Sequence, residues 1–276
     1  MPPNASAHTA QMRRLSSLLL AGLCAMAIPA FAQTRQDAPA AIATLRVEAV
    51  DGGYLAWADN RLPGPVEVRL ESTDGPLEGS QPALPARASV PALGSVVVAR
   101  LPMTRHGAGL ARLRLLGTPG SSNARPQEAL YLLPVAQGTA RLEQGFEGSF
   151  SHQGPENRYA LDFAVPEGTP VLAARAGRVL QVEDGFDGHG LNYARDGGRA
   201  NFIRILHADG SMALYAHLQA HGARVRPGQQ VAAGQAIGLS GNTGYSTAPH
   251  LHFVVQVNRS LQLLSIPFRL ASDPTP

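Results

Sequence analysis

Residues 250–257 read HLHFVVQV. In a β-strand, successive side chains take opposite faces. Leu251 and Phe253 then point into a core, and His250 and His252 share the other face, roughly 6.5–7 Å apart along the strand. Neutral imidazoles presented together in this way suit a metal, zinc above all. Spacing alone does not separate such a pair from two exposed polar side chains, nor does it say which ring would bind.

Seven of the nine histidines fall between residues 152 and 252. His217 lies in Tyr215-Ala216-His217-Leu218, where alternation places it with Tyr215 and opposite Leu214, Ala216 and Leu218. Asp162 lies in Tyr159-Ala160-Leu161-Asp162-Phe163-Ala164 and shares a face with two alanines, which leaves room around the carboxylate. His152 follows Phe150-Ser151 and precedes Gly154-Pro155, at a strand end or turn. His189 and His207 are reserve ligands. The Gly-rich stretch 238–248 has neither the lysine nor the following helix of a phosphate loop. It reads as a groove-edge loop, with Asn242 and Tyr245 as contacts for a peptide stem.

The strand pattern continues on both sides. Residues 149–270 contain RYALDFA, PVLAARAG, RVLQV, ANFIRILH, MALYAHL and AIGLS before the histidine strand. Residues 166–179 and 227–237 look like two copies of one turn-strand-turn-strand unit, the pattern of a hybrid barrel. Between them, residues 183–200 form a polar, Gly- and Asp-rich loop long enough to carry function. Residues 43–135 hold about seven short strands separated by turn signals such as Asp51-Gly52-Gly53 and Asp74-Gly75. That spacing predicts an accessory immunoglobulin-like β-sandwich. Residues 33–42 and 136–148 read as linkers, and the fold class is all-β.

Residues 12–32 have a basic start at Arg13 and Arg14, an apolar run from Leu15 to Ile28, and Ala30-Phe31-Ala32 as a cleavage site. Residues 1–32 are thus read as a signal peptide, with Met12 a possible true start. No membrane anchor is expected beyond it, and the protein is expected in the periplasm or the medium. The sole cysteine, Cys24, would leave with the signal, so no disulfide is expected. The 276 residues suit about two domains, and 44% hydrophobic against 16% charged suits a packed core. All 23 basic residues are Arg, which excludes Schiff-base chemistry, a phosphate-loop lysine and biotin or lipoate attachment. Loss of Arg13 and Arg14 leaves 21 basic against 20 acidic residues, so the charge is no nucleic-acid signal.

Four segments, SHQGPENRYALDFAVPEGTPVLAARAG, NFIRILHADGSMALYAHL, VRPGQQVAAGQAIGLSGNTGYS and APHLHFVV, together resemble the lysostaphin and LytM-type zinc metallopeptidases, over residues 149–256 and in the family's order. The resemblance implies an exported zinc endopeptidase that cuts peptide cross-links of peptidoglycan. It implies Asp162 and His252 as Zn²⁺ ligands, His217 and His250 as catalytic histidines that bind no metal, and peptidoglycan peptide stems as substrate. In the common pattern the first ligand, a His, stands four residues before the aspartate. Here that position is Arg158, and His152, ten residues before Asp162, is taken as the ligand, reached through a turn at Gly154–Asn157. The alternative is a degenerate member that has lost catalysis and activates a partner amidase, or a cell-wall binding module.

Overall fold

The computed structural model describes residues 41–103, 112–136, 138–139 and 141–271. The expected signal peptide and nearly all of the first linker lie outside the described residues. The first half contributes β1 (Ala43–Val50), β2 (Gly53–Asn60), β3 (Val66–Ser72), β4 (Ala86–Val90), β5 (Ser95–Pro102), β6 (Leu113–Pro119) and β7 (Leu130–Tyr131). Then come β8 (Arg141–Gln144), β9 (Ala160–Ala164), β10 (Pro170–Leu172), β11 (Gly177–Glu183) and β12 (His189–Gly190). The four-residue α1 (Tyr193–Asp196) is the only α-helix among the described residues. It precedes β13 (Phe202–Leu206), β14 (Met212–Ala216), β15 (Gln230–Val231), β16 (Ala236–Leu239) and β17 (Gly244–Tyr245). The described residues close with β18 (His250–Arg259), β19 (Gln262–Ser265) and β20 (Arg269–Leu270). The protein is all-β, as expected.

In the first half, β1-β2-β5 and β4-β3-β6 make two three-stranded antiparallel sheets. Alternation along β3 sends Val66, Val68 and Leu70 into an apolar cluster that Ala56, Ala58, Val98 and Leu101 enter from the other sheet. The second half is built on an eight-stranded sheet in the order β15-β11-β13-β14-β18-β9-β8, with β19 also on β18. Its inner face buries Phe163, Ile203, Ile205, Tyr215, Leu251 and Phe253 without solvent exposure. The two similar stretches lie against each other: β10 pairs with β16, and β11 with β15.

Residues at the expected boundary belong to the second core. β7 pairs in parallel with β20, and Tyr131 and Val135 are buried with Phe253. β8, inside the stretch expected to be a linker, is a strand paired with β9. The halves also touch directly: Asn258 Nδ2 donates to Gly120 O (3.0 Å) and Thr118 Oγ1 to Leu261 O (2.9 Å).

His207 is buried here, away from the other histidines. Its Nδ1–H donates to Ala176 O (2.9 Å), its ring meets Tyr131 edge-on, and Nε2 has no partner. Burial pushes its pKa down to about 4, against about 6.5 in an unfolded chain. The unfolded chain therefore takes up this proton first as pH falls. Stability from this group is complete above pH ~6.5 and declines until pH ~4, by about 3 kcal/mol in all. Urea unfolding across this window should show the decline, with a shallower slope for His207→Phe. An equal slope in that variant would exclude His207 as the cause.

Candidate metal and catalytic site

β18 lies between β14 and β9, and register assembles the site on the sheet face opposite the core. His252 stands across from Asp162 on one side and Ala216 on the other, while His250 stands across from Ala164. The small Ala164 and Ala216 leave this end of the sheet open to imidazoles. His252 Nδ1 lies 2.8 Å from Asp162 Oδ1, and His152 Nε2 lies 3.1 Å from Asp162 Oδ2. One ligand atom from each of these three buried residues falls within 4.8 Å of the others.

His152 arrives through a series of turns. Its backbone N–H donates to Gly148 O (3.0 Å), and the Gly154–Asn157 turn closes with Asn157 N to Gly154 O (3.0 Å). The sheet pins that turn from below: Gln256 Nε2 donates to Glu156 O, and Ser265 Oγ to Pro155 O. Arg158, four residues before Asp162, points outward, with Nε 2.8 Å from Glu147 Oε1. The structure thus gathers His152, Asp162 and His252, and leaves Arg158 outside.

The donor set fits a metal. His152 is fully buried and its Nδ1–H donates to Gly145 O (2.8 Å). In the neutral ring Nε2 then carries the lone pair, and it faces the Asp162 carboxylate at 3.1 Å. A cation between them resolves that opposition, and two imidazoles with one carboxylate are a zinc set that leaves a coordination position open. Burial alone would raise the Asp162 pKa. Without a metal, the hydrogen bonds and charges of His152 and His252 outweigh burial and hold the carboxyl far below its usual range.

His217 differs from the expected strand position. β14 ends at Ala216 with Tyr215 fully buried in the core. Continued alternation would bury His217 beside it. Instead His217 has φ +62°, a left-handed conformation uncommon for a residue with a Cβ, and the chain leaves the strand. The ring turns to the site, 4.5 Å between centroids from His250 and 5.9 Å from His252. Its Nδ1–H donates to Thr243 O (2.7 Å). Burial, then the charges of His250 and His252, push its pKa down and keep the ring neutral. His250 Nδ1–H donates to Ala248 O (2.8 Å), with Ser246 Oγ at 3.2 Å. In both rings Nε2 is left free of these anchors.

The 240–248 loop supplies those anchors. Thr243 Oγ1 donates to Leu218 O (2.8 Å) and accepts from Asn201 N (3.0 Å). Ser246 Oγ lies 2.6 Å from Asn242 Oδ1, so Asn242 is buried with its oxygen engaged. Tyr245 is half-buried, with Phe150 stacked near it and Tyr193 edge-on; both of those rings are exposed. The 183–200 segment reaches this edge through parallel pairing of β12 with β17 and through α1, which Asn192 caps. His189 is exposed on β12, outside the His152–Asp162–His252 group. Gln144, Thr243, Ser246 and Asn201 carry no pattern that distinguishes them from ordinary loop polars, and reading the sequence missed them as site supports.

Gly241 shows how tightly the loop is set. A Cβ there would lie 2.4 Å from Gln219 N and 2.7 Å from Leu218 C, both rigid backbone beside His217. Gly241→Ala should cost roughly 1–3 kcal/mol and displace His217. Thermal unfolding checks the first effect and hydrolysis rate the second; an unchanged melting temperature would refute this packing argument.

Residues 156–262 match the sequence profile of Peptidase family M23, so that His152 stands four residues ahead of the matched stretch. Lysostaphin of Staphylococcus staphylolyticus is 42% identical over 119 residues, 43% of this chain and 21% of that protein. Glycyl-glycine endopeptidase ALE-1 of Staphylococcus capitis is 41% identical over 121 residues, 44% of this chain and 28% of that protein. DD-carboxypeptidase/endopeptidase Mpg of Neisseria meningitidis serogroup B is 40% identical over 98 residues, 36% of this chain and 20% of that protein. The chain therefore spans between a fifth and under a third of the length of these relatives. The matched stretch takes in both the aspartate strand and the histidine strand, so residues 156–262 form a domain similar to Peptidase family M23.

Proposed function

We propose that the protein is an exported zinc endopeptidase that hydrolyses peptide cross-links of bacterial peptidoglycan. The observation that carries this reading is one face of one sheet holding two sets of groups. His152, Asp162 and His252 converge on one point, and beside them His217 and His250 have Nδ1 tied to carbonyls and Nε2 free. A metal-binding group next to two proton-transfer groups is the equipment of a hydrolase. The names of two relatives, a glycyl-glycine endopeptidase and a DD-carboxypeptidase/endopeptidase, support a peptide bond as the target.

Zinc held by His152, Asp162 and His252 would supply a Lewis acid that polarises the scissile carbonyl and activates water near neutral pH. His250 Nε2 is the proposed acceptor of the proton that the attacking water gives up. Its Nδ1–H bond to Ala248 O fixes the tautomer, so the free nitrogen carries the lone pair. His217, neutral at rest, receives that proton on Nε2 from the adjacent His250 ring, hydrogen-bonds the tetrahedral oxygen through it, and passes it to the leaving amine as the C–N bond breaks. Its left-handed backbone and the Thr243 bond hold that ring in place before substrate binds. The stem peptide lies along the edge formed by Tyr245, with Asn242 supporting that loop from within. Residues 1–32 act as the export signal to the periplasm or medium, and residues 43–135 as the accessory sandwich.

Metal content and digestion of peptidoglycan test the reading together. The purified protein should hold about one zinc per chain and release peptide fragments in a chelator-sensitive way. Absence of both zinc and digestion, even with zinc added, would exclude the hydrolase.

A further inference from the structure

We propose that Gln144 is a positioning residue for the metal centre, one carboxamide that holds both the Asp162 carboxylate and the segment carrying His152. The proposal rests on the metal-site reading above. Gln144 Nε2 lies 2.9 Å from Asp162 Oδ2 and 2.8 Å from Ser151 Oγ, while Oε1 accepts from Phe150 N (3.1 Å). The next residue, Gly145, offers the carbonyl that accepts from His152 Nδ1 (2.8 Å). Two consecutive residues of one strand end thus orient two of the three convergent groups.

The backbone is arranged for this. β8 pairs with β9 through Leu142 opposite Phe163 and Gln144 opposite Asp162, with a bulge between. Regular pairing would put Glu143 opposite Asp162 and set two carboxylates side by side. The bulge substitutes a neutral donor and leaves Glu143 exposed near Arg141. Bulges recur beside active sites because they re-aim one side chain without moving the strand. Gly148 completes the fit: a Cβ there would stand 2.2 Å from Gln144 Cγ and 2.6 Å from Cδ. The carboxamide is therefore held from below by the bulge and from the side by a residue with no side chain. A group that fixes a ligand's orientation typically contributes 10- to 100-fold to metal affinity.

Two variants of the full chain test this. Gln144→Met keeps the length and removes both donor and acceptor. Gly148→Ala leaves Gln144 in the sequence but pushes its side chain from its seat. Zinc dissociation constants from chelator competition, visible spectra of the cobalt-loaded proteins, and unfolding of the metal-free proteins would be compared with the parent and with Glu143→Ala. Both variants should weaken zinc by about 10- to 100-fold and change the cobalt spectrum, while Glu143→Ala matches the parent. Zinc affinity and cobalt spectrum equal to the parent's in Gln144→Met, with only metal-free stability lowered, would overturn the proposal and leave Gln144 a packing residue. A parent that binds neither zinc nor cobalt would instead remove the metal-site reading itself, and the role of Gln144 with it.

Discussion

His152→Ala should lose zinc affinity by more than ~100-fold and release no peptide fragments above background, whereas Arg158→Ala should do neither. The contrast is the test, because the two residues are rivals for one role. Arg158 occupies the position, four residues before Asp162, where the resembled family has its first ligand. It is exposed and engaged with Glu147. His152 is fully buried, and its free nitrogen faces Asp162 at 3.1 Å. Its removal leaves two convergent groups and a carboxylate that is still buried. Loss of the ring also opens space at a packed position and strands Gly145 O, so part of any effect could come from the fold. Unfolding of the metal-free variant separates these contributions, since a lost ligand lowers stability chiefly in the presence of zinc. Full zinc binding by His152→Ala would show that the centre is built from Asp162, His252 and some other group.

What could be read directly from the residues was whatever period and turn chemistry express locally. Leu251 and Phe253 lie in the core and His250 and His252 on the opposite face, because strand alternation follows from backbone geometry alone. The Gly154-Pro155-Glu156-Asn157 turn was legible for the same reason, and it is what brings His152 to Asp162. His217 shows the limit. Alternation assigns it to the face of Tyr215, but the strand ends one residue earlier and a positive φ turns the ring to the site. Only glycine announces that conformation in a sequence, and the residue here is a histidine. The strand at 141–144 was hidden in a different way. Four residues, RLEQ, with one apolar position carry almost no periodic signal, and the bulge that places Gln144 opposite Asp162 is defined only once the strands pair. Ser246 and Thr243 were equally silent, since their partners, His250 and Leu218, are fixed by tertiary contact.

The other large effect is expected at His250. His250→Ala should keep its zinc and lose roughly 10²- to 10⁴-fold in kcat, with much less change in KM. Retained zinc follows from geometry. His250 is across from Ala164 rather than Asp162, and it lies outside the convergent group of His152, Asp162 and His252. Its ring is fixed from behind by Ala248 O and Ser246 Oγ, and after the substitution the buried Ser246 Oγ still lies 2.6 Å from Asn242 Oδ1 and 3.0 Å from Ala248 O. The lost function is the one its Nε2 would perform, acceptance of a proton from the attacking water. A group that acts only in the transition state lowers kcat and kcat/KM together. His250→Gln sharpens the test, since it restores polar contact but accepts no proton near neutral pH, and it should be nearly as slow as the alanine variant. Recovery by glutamine would make the residue an orienting contact, and loss of zinc from either variant would move His250 into the metal set. His217→Ala, compared in the same assay, should also keep zinc, because Nδ1 of that ring is committed to Thr243 O and its ring faces His250 more closely than His252. Equal losses for the single variants and no further loss in the double variant would mark the two rings as one proton-transfer unit.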